Sequence, residues 1–105
     1  MPTIENFDHL LSIDQNSIWH PYSAMQSDLP IYHVVSAEGV RLKLSNGQQL
    51  IDGMSSWWCA IHGYNHPEIN SALQHQLKDM AHVMFGGLTH TPVIKLTEKL
   101  LSIVP

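Results

Sequence analysis

Two adjacent tryptophans, Trp57 and Trp58, lie within a run of mostly small residues and glycines at 52–67. Neighbouring side chains of a β-strand point to opposite faces, so both indoles can serve one core only where the backbone is irregular. Gly53 and Gly63 permit such an irregular path because glycine adopts conformations that other residues avoid. We therefore expect one of the two indoles to line a cavity.

Length and composition narrow the possible classes of function. The 105 residues suffice for one small domain, and 44% hydrophobic with 13% charged residues is typical of a folded chain. Five basic against nine acidic residues, with no basic patch, argue against a nucleic-acid partner. No apolar run is long enough for a membrane span, and the N-terminus does not resemble a signal peptide. The single Cys59 cannot form an internal disulfide, which favours a reducing, cytoplasmic location.

Residues 31–58 are predicted to form a small antiparallel meander, with a first strand at 31–35. The second strand shows the period-two pattern of a half-buried strand, which runs through Val40, Arg41, Leu42, Lys43 and Leu44. Asn46 and Gly47 both tolerate positive φ and predict a hairpin turn. The third strand follows through residues 50–51.

Two helices are predicted over residues 66–105, each with a proline in its first turn, where proline is tolerated. Asn65 or His66 caps the first helix, which ends near His82, and Thr91 caps the second. Apolar residues at helical spacing predict a buried stripe on each helix. These are Ile69, Leu73, Leu77 and Met80 on the first helix, and Val93, Leu96, Leu100, Leu101 and Val104 on the second.

Residues 1–30 are predicted to form an arm, with a short helix around residues 8–13 and an aromatic cluster at 18–22. Among the eight histidines, His62 and His66 have no cysteine or carboxylate at ligand spacing, so no metal site is predicted. The aromatic residues have two interpretations, an ordinary core or the wall of a pocket. Composition alone favours the core.

Three segments together resemble the adenosylmethionine–8-amino-7-oxononanoate aminotransferases, a family of class-III, pyridoxal-phosphate-dependent enzymes. The first is Trp-His-Pro-Tyr at 19–22 with Met25, and the second is Asp-Gly-Met-Ser-Ser-Trp-Trp at 52–58, followed by Ile-His-Gly-Tyr-Asn-His-Pro at 61–67. The third is His-Val-Met-Phe-Gly-Gly-Leu-Thr-His at 82–90.

The resemblance implies a fold and a reaction. The parent would be an α/β protein of fold type I, and this piece, residues 1–105, would be its α+β N-terminal segment without the large cofactor-binding domain. The parent would move the amino group of S-adenosylmethionine to 8-amino-7-oxononanoate, giving 7,8-diaminononanoate in biotin biosynthesis. It would be a cytoplasmic homodimer with no membrane partner. Its cofactor, pyridoxal phosphate, would bind a lysine outside this chain, so the chain alone is expected to be inactive.

The resemblance also assigns residues to the substrate pocket. Trp57 matches the family's substrate-pocket tryptophan, and Tyr22 matches a tyrosine that helps to recognise substrate. Four further residues match positions at or near the pocket, namely Trp58, Pro21, Met84 and Gly86. No residue of this chain matches a catalytic or cofactor-binding position. The alternative is a complete non-enzymatic domain that binds an apolar ligand or a protein through its aromatic residues.

Overall fold

The computed structural model describes residues 6–105, which contain three helices and one three-stranded sheet. In chain order the elements are α1 (Phe7–Ser17), β1 (Val34–Glu38), β2 (Arg41–Leu44), β3 (Gln49–Ile51), α2 (Pro67–Asp79) and α3 (Thr91–Leu101). The chain divides into two compact units, and the boundary lies between His66 and Pro67. The first unit carries the sheet and α1, and the second carries α2 and α3.

Helix α1 is longer than the predicted helix at residues 8–13, because both of its ends are capped. The side chain of Asn6 accepts a backbone N–H three residues further on, at 3.1 Å, and this satisfies one of the free donors of the first turn. At the other end the N–H of Ile18 donates to the carbonyl of Asp14. The Asp14 carboxylate also lies 2.7 Å from Nε2 of His20. This contact holds the segment that follows α1 against the helix.

The predicted antiparallel meander is confirmed, with the strand order β1-β2-β3. The first strand begins later than predicted, at Val34 instead of residue 31. Pairing of β1 with β2 starts at the tight turn after Glu38, and a bulge between Val34 and Ser36 shifts the register. A bulge bends the strand and disrupts the ladder. Beyond the bulge Val34 still pairs with Leu44, and the carbonyl of His33 accepts the N–H of Ser45 at 2.9 Å.

The predicted hairpin at Asn46-Gly47 is also confirmed, although only Gly47 adopts positive φ, at 88°. The N–H of Gly47 donates to the carbonyl of Leu44, and the N–H of Leu44 donates to the carbonyl of Gln48. This pattern is typical of a type I turn followed by a left-handed glycine. The side-chain oxygen of Asn46 accepts the N–H of Gln48 at 3.0 Å and fixes the turn.

The strands end at Ile51, so the prediction of strand structure as far as residue 58 is wrong. Residues 55–58 all have positive φ and form a left-handed turn. The N–H groups that could continue the ladder after Asp52 are instead bound to its own carboxylate. The backbone irregularity that was expected at Trp57 and Trp58 is therefore present. It follows directly after Asp52, whose carboxylate binds two of the N–H groups involved.

Helix α2 begins at Pro67 as predicted and ends at Asp79, three residues before the expected end. Helix α3 is capped by His90 and not by Thr91 as predicted. The carbonyl of His90 already accepts the first helical bond, from Ile94, and Nδ1 of His90 accepts the N–H of Val93 at 3.4 Å. The cap is thus one residue earlier than the sequence pattern indicates.

Within the part of the chain that the structure describes, Leu44 is the only buried hydrophobic residue, with 3% of its surface exposed. The stripes predicted to be buried on the helices remain accessible, and Leu101 is 73% exposed. The reason is that α2 and α3 do not pack against each other. None of the helices among residues 6–105 has the length and apolar character that a membrane crossing requires.

The accessible apolar surface predicts weak cooperativity for the isolated chain. Large contiguous apolar patches bind hydrophobic dyes and favour self-association, and small domains are marginally stable even with a complete core. We expect strong binding of an anilinonaphthalene dye, rapid amide exchange in α2 and α3, and a broad thermal transition. A sharp calorimetric transition with well-protected amides in a monomer would contradict this expectation.

Gly63 lies against the backbone of Gly39, and this contact predicts a specific effect of substitution. A Cβ at position 63, where φ is +81°, would lie 3.0 Å from the carbonyl oxygen of Gly39. Gly63→Ala combines that clash with the cost of a left-handed alanine, about 1–2 kcal/mol. We expect exchange of the Gly39 and Tyr64 amides to accelerate by about tenfold or more, as measured by hydrogen exchange.

The matched control is Gly53→Ala, because Gly53 does not have positive φ and a Cβ added there would meet no atom within 4 Å. Alanine there should leave the exchange of both amides unchanged. Equal acceleration in the two variants would show that the approach of Gly63 to Gly39 does not hold this part of the unit together.

Candidate functional site

The Asp52 carboxylate, directly after β3, organises the segment that carries the two tryptophans. One oxygen, Oδ1, accepts the N–H of Met54 at 2.9 Å, and the other, Oδ2, accepts the N–H of Ser56 at 2.6 Å. Oδ2 also accepts the hydroxyl of Tyr64, and that hydroxyl lies 2.5 Å from Oγ of Ser56. We call Asp52, Ser56 and Tyr64 the Asp52 cluster.

The turn that follows is left-handed over four consecutive residues. Ser55, Ser56, Trp57 and Trp58 have φ values of 49°, 47°, 58° and 73°. The N–H of Trp58 donates to the carbonyl of Met54 at 3.0 Å. Each non-glycine residue in this region costs about 1–2 kcal/mol relative to a right-handed conformation. Such strained segments persist only where surrounding contacts impose them, and they concentrate at functional sites.

The Asp52 cluster perturbs the titration of both its ionisable members. The Tyr64 hydroxyl, followed by the N–H of Ser56, lowers the pKa of Asp52 below its ordinary value of 3.8. The Asp52 carboxylate raises the pKa of Tyr64 above its ordinary value of 10.0. The hydrogen bonds therefore stabilise the structure from about pH 4 to about pH 10. This stabilisation is lost as the pH falls through the lowered pKa of Asp52 or rises through the raised pKa of Tyr64.

The structure brings together two of the predicted substrate-binding residues, Tyr22 and Trp57. Their ring centroids are 5.3 Å apart and the rings are tilted by 56°, a geometry that aromatic pairs favour. Tyr22 also has positive φ, at 56°. The two side chains remain accessible, with exposed fractions of 91% for Tyr22 and 49% for Trp57. The pair thus forms an accessible aromatic surface with an accessible phenol.

A cavity of about 740 Å³ lies between the arm and the sheet of the first unit. Two of the predicted residues, Pro21 and Tyr22, line it, and Leu44 and Leu50 form part of its apolar wall. The two adjacent tryptophans at 57–58 are not among its lining residues. This cavity therefore does not fulfil the expectation that Trp57 or Trp58 lines a cavity.

The remaining predicted substrate-binding residues are divided between the two units. Trp58 follows Trp57 in the left-handed turn of the first unit and is 74% exposed. In the second unit, Met84 and Gly86 lie between α2 and α3. There the terminal methyl group of Met84 lies 3.1 Å from the position of a Cβ on Gly86.

Residues 6–105 contain no group of three or more His, Cys, Asp or Glu that could hold a metal ion. The rings of His62 and His66 are 6.2 Å apart and meet edge to face. Cys59 is exposed. These residues do not form a metal centre or a paired nucleophile within the described part of the chain.

The Asp52 cluster is the part of the site that the sequence did not predict. Asp52 and Tyr64 entered the sequence-based expectations only as members of the runs at 52–58 and 61–67 that carry the resemblance. A local signal was present, since aspartate often accepts the N–H of the residue two positions on. The contact with Tyr64 joins residues twelve positions apart, and no local pattern indicates it.

The comparisons with known proteins point to one family. The model of the class-III aminotransferases matches residues 22–105. A curated relative from Buchnera aphidicola (subspecies Acyrthosiphon pisum), named adenosylmethionine-8-amino-7-oxononanoate aminotransferase, is 60% identical over 92 residues. That match covers 88% of this chain and 22% of the relative. The chain therefore spans about a fifth of the length of the curated relatives that it matches.

Two solved structures show the same fold. A crystal structure of the Methanocaldococcus jannaschii enzyme of the same name has a TM-score of 0.87 at 30% identity, covering 95% of this chain and 23% of that one. The taurine:2-oxoglutarate aminotransferase of Bifidobacterium kashiwanohense, in complex with PLP and glutamate, has a TM-score of 0.80 at 20% identity. That match covers 91% of this chain and 21% of the other. At that identity the second likeness concerns the fold alone.

The residues of this chain do not by themselves fit a pyridoxal phosphate site. Such a site needs an enclosed lysine for the cofactor aldehyde. All four lysines are exposed, on β2 at Lys43, on α2 at Lys78, and on α3 at Lys95 and Lys99. The described part of the chain therefore has no enclosed lysine of the kind that the cofactor needs.

The Asp52 cluster leads to a testable prediction about titration. Asp52→Asn removes the charge that favours the neutral phenol, so the pKa of Tyr64 should fall toward 10.0. The measurement is an NMR titration of tyrosine labelled with ¹³C at Cζ, with the Tyr64 signal assigned by its loss in Tyr64→Phe. Asp28→Asn, in the arm of the same unit, is the matched control and should leave that pKa unchanged. An unaltered pKa in Asp52→Asn would contradict the assigned hydrogen bond.

Proposed function

Because the chain belongs to the class-III aminotransferase family, we propose that it forms the N-terminal part of an enzyme that transfers the amino group of S-adenosylmethionine to 8-amino-7-oxononanoate. The product would be 7,8-diaminononanoate, in the biosynthesis of biotin. The observation that carries the proposal is the 60% identity over 92 residues to a relative named for these reactants. The alternative, a non-enzymatic binding domain, finds no support among relatives that are named as aminotransferases.

We assign this segment a role in binding substrate. Trp57 would supply an apolar wall and Tyr22 a hydroxyl that donates or accepts a hydrogen bond. Support comes from the contact between the two rings at 5.3 Å and from their accessibility. The further residues would lie at or near the pocket, and some of them would reach the site of the partner subunit in a homodimer. These are Trp58, Pro21, Met84 and Gly86.

We also propose that the enzyme uses pyridoxal phosphate, held by residues outside this chain, and that it acts in the cytoplasm. When bound, the cofactor supplies the group that carries the amine between donor and acceptor. The part played by residues 1–105 is then to orient the substrates and to exclude water from one side of the pocket. On this proposal the isolated chain has no transaminase activity.

The experiment that tests the function begins with the source gene. Reading it beyond Pro105 should reveal about three hundred further codons, among them one for the cofactor lysine, because proteins of this fold far exceed one small domain. The purified full-length product, supplied with S-adenosylmethionine and 8-amino-7-oxononanoate, should form the diamine. A full-length product that binds pyridoxal phosphate but makes no diamine from these substrates would refute the proposed reaction.

Trp57→Ala in the full-length enzyme should impair the use of substrate far more than the binding of cofactor. Removal of an indole from a substrate wall costs about 1–3 kcal/mol of binding. The effect should appear as a higher KM for one or both substrates in steady-state kinetics. The affinity for pyridoxal phosphate, measured by absorbance titration, should stay within about twofold of the unsubstituted enzyme.

Tyr22→Phe is the milder companion, because it removes one hydroxyl and keeps the ring that contacts Trp57. Its loss should be about 0.5–1.5 kcal/mol, as for one hydrogen bond. If Trp57→Ala weakened cofactor and substrate binding equally, the assignment of Trp57 to the substrate wall would be wrong. Unchanged kinetics in Tyr22→Phe would assign the effect of that residue to its ring alone.

A further inference from the structure

The aromatic pair depends on a backbone conformation that Trp57 does not favour by itself. Trp57 and Trp58 lie in the second half of the left-handed turn, at φ values of 58° and 73°. Bulky residues rarely adopt this conformation, so a contact outside the turn has to impose it. If the turn relaxed to right-handed or extended geometry, the direction of the Trp57 side chain would change, and its contact with Tyr22 would be lost.

The Asp52 cluster provides that contact. Its carboxylate accepts the N–H of Met54, directly before the turn, at 2.9 Å, and the N–H of Ser56, within the turn, at 2.6 Å. A charged acceptor strengthens such hydrogen bonds. Because these N–H groups lie at the start of the turn, their capture fixes the direction in which the backbone enters it.

Tyr64 connects the Asp52 cluster to the sheet. Its N–H donates to the carbonyl of Gly39 at 2.7 Å, and its own carbonyl accepts the N–H of Gly39 at 3.0 Å. The backbone of Tyr64 is thus fixed at the turn between β1 and β2, while its hydroxyl donates to Asp52. The phenol ring therefore spans the distance between the sheet and the left-handed turn.

We propose that Asp52 and Tyr64 are positioning residues, which act on substrate through Trp57 by holding the left-handed turn that presents its indole. The proposal rests on the function proposed above for Trp57. Neither residue needs to touch substrate. They would hold the indole of Trp57 in one orientation, where otherwise it would sample several. A preorganised wall binds its ligand with a smaller entropic cost.

The direct test observes the indole in the full-length enzyme labelled with 5-fluorotryptophan. Loss of a ¹⁹F signal in Trp57→Phe assigns the resonance of Trp57. We expect Tyr64→Phe, which keeps the ring and removes the hydroxyl, to shift or broaden that resonance. Tyr32→Phe makes the same chemical change at an exposed position that precedes β1 and should leave it unmoved. An unmoved Trp57 signal in Tyr64→Phe overturns the proposal.

Kinetics then separate positioning from a general structural role. Tyr64→Phe should raise KM for the affected substrate about three- to tenfold, with a smaller change in kcat and unchanged affinity for pyridoxal phosphate. In a Trp57→Ala background the same substitution should have no further effect on KM, because the side chain through which it acts is gone. Additive losses in the double variant would overturn the proposal, since Tyr64 would then act independently of Trp57.

A second variant covers the case in which Tyr64→Phe does not fold. Asp52→Asn keeps the size of the side chain and one oxygen acceptor while it removes the charge, and we expect the same directions of change in the ¹⁹F spectrum and in KM. The outcomes also distinguish the two proposals. An unchanged KM in Trp57→Ala rejects the substrate wall itself. A changed KM in Trp57→Ala rejects only the positioning role when the ¹⁹F signal is unmoved in Tyr64→Phe, or in Asp52→Asn where Tyr64→Phe does not fold.

Discussion

The two hydrogen bonds between Gly39 and Tyr64 are the constraint on which the rest of the first unit depends. They return the chain, after the turn that carries the tryptophans, to the sheet. The approach is close, because a Cβ added at Gly63 would lie only 3.0 Å from the carbonyl oxygen of Gly39. Both glycines have positive φ, a conformation that glycine adopts without steric cost. Once Tyr64 is fixed there, its hydroxyl reaches Asp52 and the left-handed turn is closed.

The sequence predicted features that depend on neighbouring residues. The hairpin at Asn46-Gly47 and the start of α2 at Pro67 are decided within a few positions, by positive φ and by a missing N–H. The resemblance likewise rested on short runs, and the match of the class-III family over residues 22–105 confirms it. The cap of α3 was predicted one residue too late, at Thr91 instead of His90, because histidine is a less common capping residue than threonine.

Features that depend on distant contacts were not predictable from local patterns. The stripes of α2 and α3 indicate faces that favour burial, but periodicity does not say what covers them. The strands end at Ile51, where Asp52 binds two N–H groups of the segment that follows. The contact of Asp52 with Tyr64 joins residues twelve positions apart, and no local pattern indicates it. The roles assigned to Trp57 and Tyr22 stay predictions, and the structure adds the distance between them.

The strain in the left-handed turn has a physical basis in the contacts around it. A tryptophan that served only stability would be packed in a relaxed strand or helix, where its burial contributes and the backbone is unstrained. Trp57 departs from this pattern in its backbone, which has an unfavourable φ of 58°. Contacts elsewhere offset the cost of such a conformation, and here they are the charged hydrogen bonds of Asp52. This balance of strain and hydrogen bonds supports the proposed preorganisation, in which Asp52 and Tyr64 would hold the strained turn and so keep the indole of Trp57 in one orientation.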